Sequence, residues 1–135
     1  FINAGHESIL TFDQNKNYEY IKSEMPPIGI VKYFSESMVK SNTINMKDKT
    51  FVVYTDGVTE GYLQNGEELG SEGVQNIINN ISEVTPKAIV ESIEKKLNWG
   101  AEKLRDDITC MAINIENTEL IKKKPVEKSK KVESK

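Results

Sequence analysis

Apolar and polar positions in the first half of the chain alternate over short stretches, as is typical of β-strands. Residues 8–12 and 18–22 show this pattern on either side of a polar cluster at 13–17, which predicts a β-hairpin. Residues 34–46 form a polar stretch that also resembles a strand. The chain opens on the apolar pair Phe1-Ile2 without a Met, so we expect its first residues to belong to a strand of a longer protein.

Two later segments are apolar on both faces, the pattern of strands that are buried on two sides. Residues 51–54 are apolar at four successive positions. Residues 108–115 carry apolar side chains at nearly every position, on the even-numbered face and on the odd-numbered face alike. Because such strands are covered above and below, we expect a layer of structure on each side of the sheet they form.

Between these strands, the apolar spacing changes to that of amphipathic helices. Ser71 is placed to cap a helix with apolar residues at the i, i+3, i+4, i+7 positions Val74, Ile77, Ile78 and Ile81. Thr85-Pro86 is the signature of a second helix start, and Gly100 is expected to end that helix. The second helix has one apolar stripe, formed by Ile89, Val90, Ile93 and Leu97. The order strands, helix, helix, strand predicts an α+β fold.

Composition restricts the chemistry that the chain can perform. No apolar run approaches the roughly 20 residues of a membrane helix, and the single Cys110 excludes an internal disulfide and suits the cytoplasm. One histidine and one cysteine cannot form a usual zinc site. Any metal is therefore expected to be held by oxygen ligands, which favours magnesium or manganese.

The net charge of −3 conceals a difference between the two ends of the chain. Residues 122–135 contain seven Lys and two Glu, a net of +5, so residues 1–121 carry −8. An acidic body argues against nucleic-acid binding, which needs clustered basic side chains. We expect residues 1–116 to form the folded domain and 117–135 to be a disordered basic tail, with attraction to an anionic membrane or an acidic partner as the alternative role of that tail.

Two carboxylates are candidates for one metal site. Asp56 follows the apolar strand 51–54, and Asp106 precedes the apolar strand 108–115. If the two strands pair in antiparallel fashion, both side chains arrive at the same edge of the sheet, where a divalent cation would offset their repulsion. Taken separately, Asp56-Gly57 is a common turn dipeptide and Asp106-Asp107 is a common loop, so the prediction depends on their combination.

Four motifs, in order, make the chain similar to a known family. Residues 3–6 (NAGH), 48–60 (DKTFVVYTDGVTE), 65–70 (NGEELG) and 105–109 (RDDIT) resemble motifs of the metal-dependent serine/threonine protein phosphatases of the bacterial sporulation stage II protein E type, which are PPM or type 2C-like enzymes. The resemblance extends over residues 1 to about 115. It implies the PPM-type α-β-β-α sandwich of two antiparallel sheets flanked by helices, of which this chain is the C-terminal part.

The chain departs from the family pattern at three points. Residues 25–29 (MPPIG) stand where the family usually has Gly-x-Pro-Leu-Gly, and Lys47-Asp48 stands in place of Gly-Asp. The family's upstream Asp-x-x-Gly-His-Gly motif, which supplies a metal-bridging aspartate, does not occur in these residues. We therefore expect that motif, together with any regulatory, dimer-forming or membrane-anchored segment, to precede Phe1 in the longer protein.

The resemblance also implies roles for individual residues. Asp56 and Asp106 match metal ligands, and no further catalytic side chain is assigned. Gly57 matches a glycine that lets the backbone turn close to the metal, while Asp107 and Glu60 match positions that support the ligands, with a plain surface salt bridge as the alternative for Glu60. Asn3 and His6 lie in a separate turn, and we expect His6 to shape the site rather than to transfer protons.

The function implied by the resemblance is hydrolysis of phosphoserine or phosphothreonine on a regulatory protein, an anti-anti-sigma-type substrate of a partner-switching pathway. Two manganese or magnesium ions would activate a water that attacks the phosphate in line, without a phosphoenzyme. We expect the 135 residues alone to be inactive, because part of the ligand set is missing. Two alternatives are a non-catalytic phosphatase fold that binds a signalling partner and a carboxylate-pair glycosidase, which would need aromatic platforms beyond the lone Trp99.

Overall fold

A computed structural model describes residues 1–97 and 106–115, which form one antiparallel sheet and the helices packed on it. The strands are β1 (Ile9–Asp13), β2 (Tyr18–Ile21), β3 (Lys49–Tyr54) and β4 (Cys110–Asn114), and they lie in the order β2-β1-β3-β4. The helices are α1 (Asp56–Thr59), α2 (Gly70–Asn80) and α3 (Pro86–Lys96), with a short 3-10 turn at Glu36–Met38. This mixed arrangement confirms the α+β fold class.

The predicted hairpin is formed by β1 and β2, and its turn is held by Asp13. The Asp13 carboxylate accepts hydrogen bonds from the backbone of Asn15 and Asn17 at 2.8 and 2.9 Å and from the Asn17 side chain at 2.7 Å. These bonds, led by the Asn17 side chain, lower the pKa of Asp13. Lys16, within this turn, adopts a left-handed conformation (φ 64°), which is uncommon for residues other than glycine.

Both predicted helices are present, but only one of the two predicted N-cap residues caps its helix. Thr85 caps α3 as predicted, since its side chain accepts a hydrogen bond from the Ala88 backbone at 3.2 Å. The prediction that Ser71 caps α2 is wrong: the capping position belongs to Leu69, and Ser71 lies within the first turn, where its carbonyl accepts a hydrogen bond from Tyr20. The predicted end of α3 at Gly100 lies outside the described residues.

The hydrophobic core lies between one face of the sheet and the helices. The strands supply Leu10, Phe12, Val52 and Tyr54, and the helices supply Val74, Ile78, Ile89 and Ile93. All eight side chains are at most 2% exposed. Burying each large apolar side chain stabilises the fold by about 1.5–3 kcal/mol, so this face accounts for much of the attachment of the helices to the sheet.

The opposite face of β4 is open, contrary to the prediction that 108–115 is buried on both sides. Met111 is 49% exposed and Ile113 is 41% exposed. Their cross-strand partners in β3 are Val53 and Phe51, so all four side chains lie on one face. Among the described residues, the helices pack only on the other face. The prediction that 108–115 is buried on both sides is therefore wrong for the described residues, because no described element covers Met111 and Ile113.

Two further expectations about strands are wrong. Residues 34–46 contain only the 3-10 turn at Glu36–Met38 and irregular backbone, because this Ser- and Asn-rich stretch lacks the alternation needed to pair. Residues 1–3 form no strand either, although Ala4 makes an isolated parallel bridge to Met25. In the described part of the chain, no helix is long and apolar enough to span a membrane.

Candidate metal centre

The end of β3 lies beside the beginning of β4, as the sequence predicts. The last paired residues are Tyr54 and Cys110, in antiparallel register. Beyond them, Thr55 continues the contact: its backbone N–H donates to the Thr109 carbonyl at 3.0 Å, and its hydroxyl accepts from the Thr109 N–H at 3.0 Å. The same hydroxyl donates to the Asp107 carbonyl at 3.1 Å. The loops that carry Asp56 and Asp106 are thereby fixed at one edge of the sheet.

Gly57 allows these two loops to approach closely. It is buried in the first turn of α1, and a Cβ atom at this position would lie 2.5 Å from the Asp107 carbonyl oxygen. That separation is well below ordinary van der Waals contact, and the obstructing atom belongs to the backbone. A residue without a side chain is therefore required here for packing, not for an unusual φ angle.

The carboxylates of Asp56 and Asp106 have similar surroundings. Each is exposed, and each accepts a hydrogen bond from the backbone N–H of the following residue, at 3.0 Å for Asp56 and 2.7 Å for Asp106. Within the described residues, no Lys, Arg or His forms an ion pair with Asp56, Asp106 or Asp107. The edge thus presents several hard oxygen donors and unneutralised negative charge, which is the chemistry that magnesium and manganese prefer.

The edge does not by itself form a complete metal site. Among residues 1–97 and 106–115, no group of three or more His, Cys, Asp or Glu side chains is arranged to hold a metal ion. A divalent ion held by only one or two carboxylates completes its coordination with waters, substrate phosphates or further protein oxygens. Asp56 and Asp106 are therefore candidate ligands that do not make a complete site by themselves.

Glu60 and Asp107 occupy different positions around this edge. Glu60 ends α1, where its backbone N–H donates to the Asp56 carbonyl at 2.8 Å, and its side chain is exposed. The backbone carbonyl of Asp107, and not its carboxylate, joins the two loops, because it accepts a hydrogen bond from the Thr55 hydroxyl. The carboxylate of Asp107 is exposed.

Asn3 and His6 lie in their own turn at the start of the chain. Asn3 is only 6% exposed, and its amide accepts from the His6 backbone N–H at 2.9 Å and donates to the Glu7 carbonyl at 3.1 Å. His6 is exposed, and its ring nitrogen lies 3.4 Å from the Glu7 carbonyl. The hydrogen bonds of His6 stay within this turn, so they do not connect it to the carboxylates.

Thr55 and Thr109 are residues that motif reasoning passed over. They supply the hydrogen bonds that join the two loops, and Thr55 alone contacts both Thr109 and Asp107. Their position in the sequence could have identified them, because each threonine lies within three residues of a predicted metal ligand. A hydroxyl can donate and accept at the same time, which suits it to bridging two backbone segments.

Comparisons with known proteins agree with the fold. The family model for stage II sporulation protein E (SpoIIE) matches residues 1–116. The fold is similar to that of the SiaA-PP2C domain of Pseudomonas aeruginosa, with a TM-score of 0.55, 18% sequence identity and 81% of this chain covered. The chain spans 43% of the length of that structure. No curated protein sequence matches the chain.

Proposed function

Because the chain belongs to the stage II sporulation protein E (SpoIIE) family, we propose that it forms part of a phosphatase domain that dephosphorylates phosphoserine or phosphothreonine on a regulatory protein. The substrate we propose is a phosphorylated regulator of the anti-anti-sigma type in a partner-switching pathway. The observation that supports this proposal best is the joined edge of β3 and β4, where the Asp56 and Asp106 loops are fixed by Thr55.

We propose Asp56 and Asp106 as ligands of the divalent ions that such a phosphatase uses, Mn²⁺ or Mg²⁺. Their carboxylates are exposed and lack a cationic partner among the described residues, so the donor chemistry fits these ions. When bound, the ions would supply Lewis-acid activation of water and of the phosphoryl oxygens. The remaining residues of the edge position the two carboxylates: Gly57 permits the close approach, and Thr55 fixes the loop of Asp107.

Complete activity is proposed to need residues beyond those of this chain. The described residues hold no group of three potential ligands, and the chain spans 43% of the SiaA-PP2C domain structure. We propose that an aspartate preceding Phe1 in a longer protein completes the site. The 135 residues alone should then bind Mn²⁺ weakly and release little phosphate from a phosphopeptide. Efficient manganese-dependent turnover by the isolated chain would contradict this part of the proposal.

The ligand assignment can be tested by measuring Mn²⁺ binding calorimetrically in three single variants of the 135-residue chain. Asp56→Asn and Asp106→Asn should each weaken binding by about tenfold or more, because each replaces a charged ligand with a neutral amide. Asp48→Asn is the matched control, since Asp48 is an exposed loop aspartate before β3 and its left-handed backbone (φ 58°) is tolerated by Asn. Equal affinities in all three variants would refute the assignment.

A second candidate function is a phosphatase fold that only binds a signalling partner. The absence of a three-ligand group among the described residues favours it for the isolated chain. A measurement of phosphatase activity in the longer protein discriminates between the two functions. Asp56→Asn should abolish its metal-dependent phosphatase activity if the domain is an enzyme, and should leave partner binding unchanged in both cases.

The cellular setting is proposed on the same basis. We propose that this segment acts in the cytoplasm on a phosphorylated protein, without contacting nucleic acid or membrane. We also propose that any homodimer forms through residues that precede Phe1. Sedimentation of the 135-residue chain beside the longer protein tests the second point, because only the longer protein should dimerise.

A further inference from the structure

A groove of about 790 Å³ lies between α2, α3 and the turn that precedes α2. One wall is a stripe of α2 at the i, i+3, i+4, i+7 positions, and the other is a stripe of α3 at i, i+3, i+4. The α2 stripe consists of Gly73, Asn76, Ile77 and Asn80, and the α3 stripe of Ser92, Lys95 and Lys96. None of the carboxylates at the β3–β4 edge lines this groove, so it is a separate surface.

The groove has an apolar floor and a polar rim. Leu63, Leu69, Ile77 and Ile81 supply the apolar lining, and Leu69 and Ile77 are almost completely buried. Asn76 and Asn80 stand on the exposed side of α2. The volume falls within the range of protein binding sites, which combine apolar surface with a few polar groups that orient the ligand.

Among the described residues that line the groove, all charged side chains have the same sign. Lys95 and Lys96 are exposed at the end of α3, and no carboxylate forms an ion pair with either within the described residues. No Asp or Glu is among the described lining residues, although residues 1–121 carry a net charge of −8. A cationic rim beside an apolar floor is complementary to a ligand that carries both carboxylates and apolar side chains.

We propose that this groove is a docking site for an acidic amphipathic peptide segment of a partner protein. The apolar side chains of the segment contact the floor, and its carboxylates contact Lys95 and Lys96. A concave groove between two helices suits an inserted peptide rather than the plane of a membrane. Two lysines are too few for a nucleic-acid backbone, which is bound by larger basic clusters.

A second copy of the chain is a poorer fit to the groove. The apolar stripes of α2 and α3 are packed against the sheet, so neither helix offers a free acidic and apolar face to another molecule. The exposed side chains on the open face of β4, Met111 and Ile113, are uncharged and offer no carboxylate to Lys95 and Lys96. The proposal therefore commits to a peptide from a different protein.

The test uses two fluorescein-labelled synthetic helical peptides and the 135-residue chain. One peptide carries Leu at i, i+3, i+4 and i+7 with Glu at the outer positions, and the other carries Lys in place of Glu. Fluorescence anisotropy should show binding of the Glu peptide that weakens with added salt, and at least about tenfold weaker binding of the Lys peptide, because the rim is cationic.

Variants locate the binding site. Lys95→Glu/Lys96→Glu should weaken binding of the Glu peptide by about tenfold, whereas Lys22→Glu/Lys40→Glu, which makes the same charge change at exposed lysines outside the groove, should weaken it less than about threefold. Asn76→Trp should block binding sterically, since Asn76 is exposed and lines the groove. Circular dichroism establishes that each variant is folded.

Three results would overturn the proposal. The first is no measurable binding of the Glu peptide to the wild-type chain. The second is equal binding by the wild type, Lys95→Glu/Lys96→Glu and Asn76→Trp. The third is a concentration-dependent dimer in sedimentation that Asn76→Trp abolishes, because the groove would then belong to a second copy of the chain.

Discussion

Replacing Gly57 with alanine should separate the two loops of the candidate metal centre. The added methyl group would lie 2.5 Å from the Asp107 carbonyl oxygen and 3.1 Å from its carbonyl carbon. Since carbon and oxygen rarely approach closer than about 3.0 Å without bonding, the Asp107 backbone must move by at least about 0.5 Å. That carbonyl accepts the Thr55 hydroxyl at 3.1 Å, so the movement also strains the link between the loops.

The size of the effect follows from two opposing terms. Overpacking a close contact typically costs about 1–3 kcal/mol. Replacing glycine by alanine within a helix recovers up to about 1 kcal/mol, because alanine has the higher helix propensity. Gly57 lies in α1, so both terms apply, and the expected net loss in the free energy of unfolding is about 1–2 kcal/mol.

Urea unfolding and calorimetric titration with Mn²⁺ measure the two consequences in the same protein. Gly57→Ala should lower the urea midpoint and weaken Mn²⁺ binding, since Asp56 and the Asp106–Asp107 loop no longer approach as closely. Gly73→Ala in α2 is the matched control, because its new Cβ would meet the Leu69 side chain, at 2.6 Å from Cδ1 and 3.0 Å from Cγ, rather than the backbone of the metal-site loops. That variant should lose less stability than Gly57→Ala, because a side chain shifts more easily than backbone, and its Mn²⁺ affinity should be unchanged.

A specific outcome would refute this reasoning. If Gly57→Ala is as stable as Gly73→Ala and binds Mn²⁺ like the wild type, the contact between Gly57 and Asp107 does not determine the geometry of the edge. If only stability falls and metal affinity is retained, the contact supports the fold without positioning the ligands.

Two further predictions concern the fold itself. Lys16→Met should lower the free energy of unfolding by about 1–2 kcal/mol in a urea titration, with exposed Lys22→Met as control, because the Lys16 ammonium donates to two carbonyls at the end of α2 at 2.7 and 2.6 Å. Burial raises the pKa of Tyr54 to about 12 and of Cys110 to about 11, so both groups hold their protons more tightly when folded. Stability should therefore fall as pH rises from about 9 towards 12, and Tyr54→Phe or Cys110→Ala should each reduce that fall; an unchanged slope in both variants would contradict the assignment.

Local chemistry made several elements predictable from the sequence. The Asp13 turn, the Thr85 cap and the apolar run of β3 each depend on neighbouring residues, and each appears as predicted. The antiparallel pairing of β3 and β4 entered the sequence analysis as a condition, namely the pairing that would bring the flanking carboxylates to one edge, and the structure has that pairing. The metal-ligand roles of Asp56 and Asp106 remain predictions.

Other features depend on packing that a single sequence does not reveal. The cap of α2 lies at Leu69, two residues before the predicted Ser71, and Gly70 between them adopts a left-handed φ of 65°, a conformation that glycine reaches easily. The role of Thr55 depends on which backbone groups lie within reach of its hydroxyl in the folded chain. The α2–α3 groove likewise arises from the relative placement of two helical stripes, neither of which is distinctive alone.

The open face of β4 and the candidate ligands Asp56 and Asp106 belong to the same sheet. Met111 and Ile113 are exposed on the face opposite the helices. The sequence of β4 is nevertheless apolar on both faces, which is the pattern of a strand buried on two sides. A second sheet packed on this face, as in the α-β-β-α sandwich implied by the family, would cover those side chains. The edge that carries the candidate ligands Asp56 and Asp106 belongs to the same sheet, so a covering layer would also bring its own side chains close to them. We propose that one such layer, supplied by a longer protein, would both cover the apolar face of β4 and add side chains to the candidate metal centre.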